Sequence, residues 1–218
     1  MTYRVIDTGA SRSFPAPHAL LQAASTDGAV VVIIGEGAGQ EFRALPRPDD
    51  KTAIAIELGT ECLGVHTGED RGKEGSNVVG FARFRLGAAA PTHLVELVKQ
   101  PGTRSDALAA AKAVFEAAGL LVAVCNDFPG RILDRLLRPY FNAALRRLDE
   151  GLATAEDMDT TLRLGLGYPE GPIALLHRTG LAAHRDVTQA LYEALGDPAY
   201  VPARRAQVAK SRSGNRED

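Results

Sequence analysis

Asp127-Phe128-Pro129-Gly130-Arg131-Ile132-Leu133-Asp134-Arg135-Leu136-Leu137-Arg138-Pro139-Tyr140 divides the sequence into two architectures. Ahead of it lie short, mostly Val/Ile-rich runs: Tyr3–Ile6, Ala29–Ile34, Thr52–Ile56, Val78–Phe81, Leu94–Val98 and Leu120–Cys125. Their length and composition predict strands. The near-continuous run Val30–Ile34 suggests one covered on both faces. Two helices are expected among them, Pro17–Ala24 and Thr103–Ala118, the second with Thr103 and Asp106 as a capping pair and Gly119 as its stop. Pro46 to Gly75 reads as loops around one short strand. Behind the dividing stretch the spacing is helical. Arg131–Glu150 sets Leu133, Leu136, Leu137, Tyr140, Phe141, Ala144, Leu145 and Leu148 on one face. A helix follows from Thr154, with Asp157 as capping partner, to Gly165 or Gly167; then come Pro172–Arg178 and Leu181–Leu195. These elements predict an α/β domain over residues 1–127, an all-helical domain over 128–209 and a polar, disordered tail over 210–218.

With 218 residues, 45% hydrophobic and 24% charged, and a formal charge of −2, the chain has the composition of an ordinary globular protein. It carries no bulk positive field for a nucleic-acid backbone. No run approaches the roughly 18 apolar residues of a membrane helix, and the start lacks a signal peptide's apolar core, so a cytoplasmic location is expected. Cys62 and Cys125 sit in apolar runs without metal-ligand spacing and read as buried, reduced thiols.

Val122 through Pro198 resembles the start and body of the helical domain of the 3-hydroxyacyl-CoA dehydrogenase family. Three stretches carry the likeness: Asp127–Tyr140, then Glu156-Asp157-Met158-Asp159-Thr160, then Leu164-Gly165-Leu166-Gly167-Tyr168-Pro169-Glu170-Gly171-Pro172. The last two follow the family's D-I-D-x-A-M and G-x-G-Y-P-x-G-P signature in order and spacing. Val78-Val79-Gly80 and Leu94–Val98 match strands flanking the family's catalytic histidine. The resemblance implies a reduced Rossmann-like α/β domain, followed by a helical dimerisation domain of the type shared with the 6-phosphogluconate dehydrogenase C-terminal domain. It also implies NAD as cofactor and a 3-hydroxyacyl thioester as substrate.

The residues depart from that pattern where the chemistry sits. A dinucleotide site needs a strand, a G-x-G-x-x-G turn, a helix and an acidic residue about twenty positions on. Gly35, Gly37 and Glu57 stand at such positions, but Gln40 takes the last glycine's place, Glu36 points a charge at the phosphates, and Pro46 and Pro48 limit the helix. In register with the family, Ala29–Ile34 matches a mid-sheet strand, and Tyr3–Ala24 is too short for the first βαβ unit that carries the fingerprint. The family's orienting glutamate maps to Glu96. Its histidine base falls at Ala82 or Phe84, depending on the anchor, its serine at Glu61 or Cys62, and its asparagine at Asp134. Alanine and phenylalanine cannot take a proton. His93 is near Glu96 in sequence but projects from the opposite face of a strand. The simpler reading of Asp134 is an ion pair with Arg131 or Arg138; the family reading places it with Glu96 at a ligand cleft. His18 and His66 have no carboxylate set by spacing, His177 and His184 lie in or beside helices, and all four read as solvent-facing or satisfied in packing, with no metal-site pattern.

Three functions follow. The first is a family member of acyl-CoA metabolism with little or no NAD-dependent turnover, serving as an acyl-CoA-binding or accessory homodimer built through Arg131–Leu195. The second is an active dehydrogenase with a diverged site or a partner chain that completes it. The third is a structural partner of a full-length paralogue.

Overall fold

The computed structural model describes residues 2–68 and 76–214. It divides into two compact units, Met1–Arg85 with Pro91–Ile132, and Leu86–Ala90 with Leu133–Asp218.

The first unit is a six-stranded sheet of β1 (Tyr3–Asp7), β2 (Val30–Ile34), β3 (Ala53–Glu57), β4 (Val78–Arg83), β5 (Leu94–Lys99) and β6 (Leu121–Asn126), in sequential order. All neighbours are parallel except β4 and β5. Every residue of β2, β3 and β4 is buried, as continuous apolar runs require when both faces of a sheet are covered. On one face Val30, Val32 and Ile34 pack in a core with Ala107, Ala111 and Phe115 of α4 (Ser105–Ala117). On the other, Val31, Ile33, Ile54 and Ile56 pack with Leu58 and Leu63.

All six strands lie where the sequence predicts them, within a residue or two, and this half is Rossmann-like. The helices need correction. The expected Pro17–Ala24 helix is a single turn, α1 (Ala19–Gln22), capped by His18 Nδ1 accepting from the Leu20 amide at 3.1 Å. It still completes a parallel crossover from β1 to β2. Tyr3 Oη donating to Leu20 O at 2.7 Å fastens that short connection to the sheet. The capping pair expected at Thr103 and Asp106 does not form: α4 starts at Ser105, and Thr103 Oγ1 accepts from the Gln100 amide instead. Asp106 is bonded to Arg104 Nε at 3.0 Å. Within the stretch read as loops are a 3-10 turn, Pro48–Asp50, and a one-turn helix, α3 (Gly64–Thr67); residues 69–75 lie outside the described ones.

The second unit is helical: α5 (Ile132–Asp149), α6 (Ala155–Leu166), α7 (Pro172–Thr179), α8 (Leu181–Leu195) and α9 (Arg204–Gly214). Thr154 caps α6 by accepting from the Asp157 amide at 3.1 Å, and Gly167 and Gly196 end α6 and α8 at φ of 69° and 67°. The buried side of α5 keeps Phe141, Ala144 and Leu145 of the expected face but takes in polar residues beside them. Asp134, Arg138, Phe141, Asn142 and Leu145 are buried, whereas Leu136 is 67% exposed. Helix α9 runs through residues 210–214, assigned from composition to a disordered tail; residues 215–218 are not among those described. Too polar to announce itself, α9 is tied to α8 by Arg185 Nε bonding Gln207 at 3.0 Å and Lys210 Nζ bonding Asp186 at 2.8 Å. Leu86–Ala90 joins this unit because the Ala88 amide donates to Thr179 O at 3.1 Å. No helix among the described residues is long and apolar enough to cross a membrane.

Candidate functional site

The carboxyl ends of β1, β2 and β3 lie side by side, where open parallel sheets place their ligands. After β2 the chain turns through Gly35 at φ 96° and enters α2 (Ala38–Ala44). A Cβ at Gly35 would stand 2.9 Å from the backbone N and O of Gly9, so only glycine fits this turn. Glu57 ends β3 and reaches across to it. Its Oε2 accepts from the Gly35 amide at 2.7 Å and from Ser11 Oγ at 2.8 Å, and its Oε1 accepts from the Ser13 amide at 2.6 Å. Ser11 Oγ in turn accepts from the Phe14 amide at 2.8 Å, which fixes the loop after β1.

A second group of residues comes from the loop between β3 and α3. His66 Nε2 lies 3.4 Å from Glu61 Oε1, and the Gly59 amide donates to the same oxygen at 3.1 Å. Burial pushes the Glu61 carboxyl up, but the hydrogen bonds from His66 and from backbone amides outweigh it and hold the group below its ordinary value. His66 packs on α2 at Gly39, where a Cβ would come within 2.2 Å of its ring. The dividing stretch of the sequence pins this loop. Asp127 accepts from the Leu63 and Gly64 amides at 2.7 and 2.9 Å and from Gln100 Nε2 at 3.0 Å. The Gly130 amide donates to Thr60 O at 2.7 Å, and the buried Arg131 guanidinium donates to the carbonyls of Gly59, Glu61 and Phe128.

Together these residues wall a cavity of about 460 Å³, lined by Ser11, Arg12, Gly35, Glu57, Glu61, His66 and neighbours including Glu36, Gly39 and Arg85. Two of the cofactor candidates, Gly35 and Glu57, thus meet in one hydrogen bond on its wall. Gly37 caps α2 and lies against Thr8. The turn does not fit a pyrophosphate as it stands. The Gly35 amide, a donor a phosphate would use, is already given to a carboxylate, and Glu36 stands exposed at the mouth.

The catalytic candidates lie elsewhere; neither Glu96, His93 nor Asp134 lines this cavity. Glu96 is buried in β5, directly across from Ala82 of β4. The side chain opposite the glutamate in that pairing is a methyl group. His93 is exposed just before β5. Asp134 Oδ1 accepts from Arg138 Nε at 2.8 Å, the ion pair named as the simpler reading. Arg138 Nη1 reaches His184 Nδ1 at 3.2 Å, and His184 Nε2 reaches Asn142 Oδ1 at 3.1 Å, making a buried network inside the helical unit. The sequence reading missed the His66 and Glu61 pair, five positions apart and brought together by the turn into α3. It also missed Ser11, Ser13, Arg12 and Arg85, which no spacing rule connects to β3.

Residues 130–217 match the family model of the 3-hydroxyacyl-CoA dehydrogenase C-terminal domain. Human mitochondrial hydroxyacyl-coenzyme A dehydrogenase is 38% identical over 100 residues, 46% of this chain and 32% of that protein. The 3-hydroxybutyryl-CoA dehydrogenase of Bradyrhizobium diazoefficiens is 37% identical over 109 residues, 50% of this chain and 37% of that protein. The matched stretch therefore spans well under half of these relatives. Among solved structures, (S)-3-hydroxybutyryl-CoA dehydrogenase from Ralstonia eutropha superposes with a TM-score of 0.70 at 25% identity, over 87% of this chain and 70% of that one. The Escherichia coli 3-hydroxybutyryl-CoA dehydrogenase shares the fold, with a TM-score of 0.69 at 23% identity over 93% of this chain and 42% of that one.

Proposed function

We propose, from the premise that residues 130–217 are a 3-hydroxyacyl-CoA dehydrogenase C-terminal domain, that this chain serves acyl-CoA metabolism as an accessory homodimer with little or no NAD-dependent turnover of its own. The observation that carries this reading is the Glu57 carboxylate seated on the Gly35 amide, which fills the turn with negative charge where a dinucleotide would need donors. The methyl of Ala82 opposite Glu96 supports it. Loss of a general base alone costs about 10²–10⁴-fold in rate. Asp134, committed to Arg138, supports a structural role for the helical unit over a substrate-facing one.

Titration calorimetry with NADH tests the proposal: no saturable binding is expected, and a micromolar Kd would overturn it. The likeness to the Ralstonia eutropha enzyme favours a second reading, in which the chain oxidises or reduces a 3-hydroxyacyl or 3-oxoacyl thioester. Loss of NADH absorbance with acetoacetyl-CoA would establish that activity. Copurification with a full-length paralogue would replace the homodimer with a mixed assembly.

A further inference from the structure

Glu57 is more than 90% buried at the wall of a cavity, yet the donors that hold it are all uncharged, two backbone amides and one hydroxyl. They come from two separate loops, the one after β1 and the one after β2, and converge within 2.6–2.8 Å on the two oxygens of a single planar group. Uncharged donors converging on one point can hold a small oxyanion, as the nests of successive backbone amides do; here they are assembled from two loops. Here the anion is supplied by the chain's own third strand.

We propose that the Gly35 amide, the Ser13 amide and the Ser11 hydroxyl form an oxyanion cradle in the cavity wall, that Glu57 is its resident occupant, and that this plug bars phosphate- and carboxylate-bearing ligands from the cradle. The inference deepens the reading given under Proposed function and rests on it for its last clause alone. It makes Glu57 the residue that determines which ligands the cavity admits. With the cradle filled, an incoming phosphate finds its donors already taken and meets the edge of the Glu57 carboxylate there, even though Arg12 and Arg85 also line the cavity, so the barring acts at the cradle itself. The loop after β1 is held independently of Glu57 by Ser11 accepting from the Phe14 amide and by Ser13 Oγ accepting from the Arg83 amide at 3.1 Å, and the turn after β2 by Thr8 Oγ1 donating to Ile34 O at 2.6 Å and the Ala38 amide donating to Gly35 O at 3.1 Å. The donors therefore keep their positions when the carboxylate is removed.

The test compares wild type with Glu57→Ala by thermal unfolding in inorganic phosphate, in acetate, and in chloride of matched ionic strength. Wild type should respond to phosphate and acetate no more than to chloride. The Ala variant should be less stable and should regain several degrees of Tm saturably as an oxyanion refills the cradle. Phosphate and acetate as separate arms show which oxyanion the cradle prefers. Adding Ser11→Ala to the same variant should weaken that response about tenfold or more, the usual weight of a hydrogen bond to a charged group. An Ala variant that responds to both anions no better than wild type overturns the cradle, as does one that fails to fold and is not rescued by refolding in phosphate. Glu57→Gln keeps the size but sets an amide group against donors. Stability equal to wild type in that variant would show that the site does not select an anion and would also overturn it. Micromolar NADH binding by the wild type sinks the barring role and the reading above together, whereas an unresponsive Ala variant without NADH binding sinks the cradle alone.

Discussion

His184 of α8 shows how far one side chain can be taken from its behaviour in water. It is 1% exposed, and burial first, then the Arg138 charge, pushes its imidazole down to about 3. The neutral ring suits its neighbours: Nδ1 accepts from Arg138 Nη1, and Nε2 is left to donate to Asn142 Oδ1. Asn142 then bonds Ala199 O at 3.1 Å, so the network joins α5 and α8 to the segment before α9. The sign of the pH dependence follows from the depressed value. Above the ordinary value of 6.5 neither the folded nor the unfolded chain protonates this ring, and its contribution is constant. As pH falls from 6.5 towards 3, the unfolded chain takes up a proton the native one refuses, and stability is lost. The loss amounts to a few kcal/mol, at about 1.4 kcal/mol per unit. Urea unfolding at pH 7.5 and at pH 5 should show it, and His184→Gln should flatten the difference between the two. An unchanged slope in the Gln variant would assign the acid sensitivity to other groups.

At the scale of elements, the family signature in the helical unit proves to be a joint between α6 and α7. Asp159 on α6 accepts from the Ile173 and Ala174 amides at 2.9 and 2.8 Å, capping a helix it does not belong to. A Cβ at Gly171 would lie 2.2 Å from the Asp159 side chain, so the glycine leaves room for the cap, and Pro172 supplies a helix start that needs no amide donor. Gly171→Ala should therefore displace Asp159 and cost about 1–2 kcal/mol, the usual worth of a lost cap. Chemical denaturation of the variant beside Asp159→Ala checks this, since the two changes break one interaction and their double mutant should not add. Signatures of this sort, like the six strands, were legible because local chemistry dictates them: glycines where φ is positive or space is short, apolar runs where both faces of a sheet are covered. The Glu57 cradle was not, because it joins the loop after β1, the turn after β2 and the end of β3 through hydrogen bonds with sequence separations of 22 to 46. The sequence marked Gly35 and Glu57 as a pair but for the opposite reason, as partners of a nucleotide. Asp127 and Arg131 carried the resemblance without revealing that they clamp the β3–α3 loop. Helix α9 escaped because its burial rests chiefly on Ala206, too little for an apolar stripe.

For the molecule as a whole, the helical unit leaves several apolar side chains in water. Helix α6 has no fully buried residue, an odd state for a helix held in place by a strict cap and a joint. Leu164 and Leu166 are 79% and 62% exposed at its C-terminal end, with Tyr168 beyond them and Leu152 before it also exposed. A lone exposed leucine needs no explanation; Leu164 and Leu166, two positions apart, project to different sides of α6, so with Leu152 and Tyr168 they leave apolar side chains in water around the helix and its flanks. Burying the three leucines would contribute up to about 1.5–3 kcal/mol each before the cost of association is subtracted. A twofold pairing of helical units would cover such side chains in both copies, since an isologous contact buries the same residues twice. The protein should therefore sediment as a dimer at micromolar concentration. Leu164→Glu combined with Leu166→Glu should convert it to a monomer that keeps its helical content by circular dichroism, because neither side chain supports the interior of its own unit. A wild-type monomer, or a double variant that remains dimeric, would mean that α6 faces solvent or a different partner, and the accessory-dimer reading would lose its physical basis.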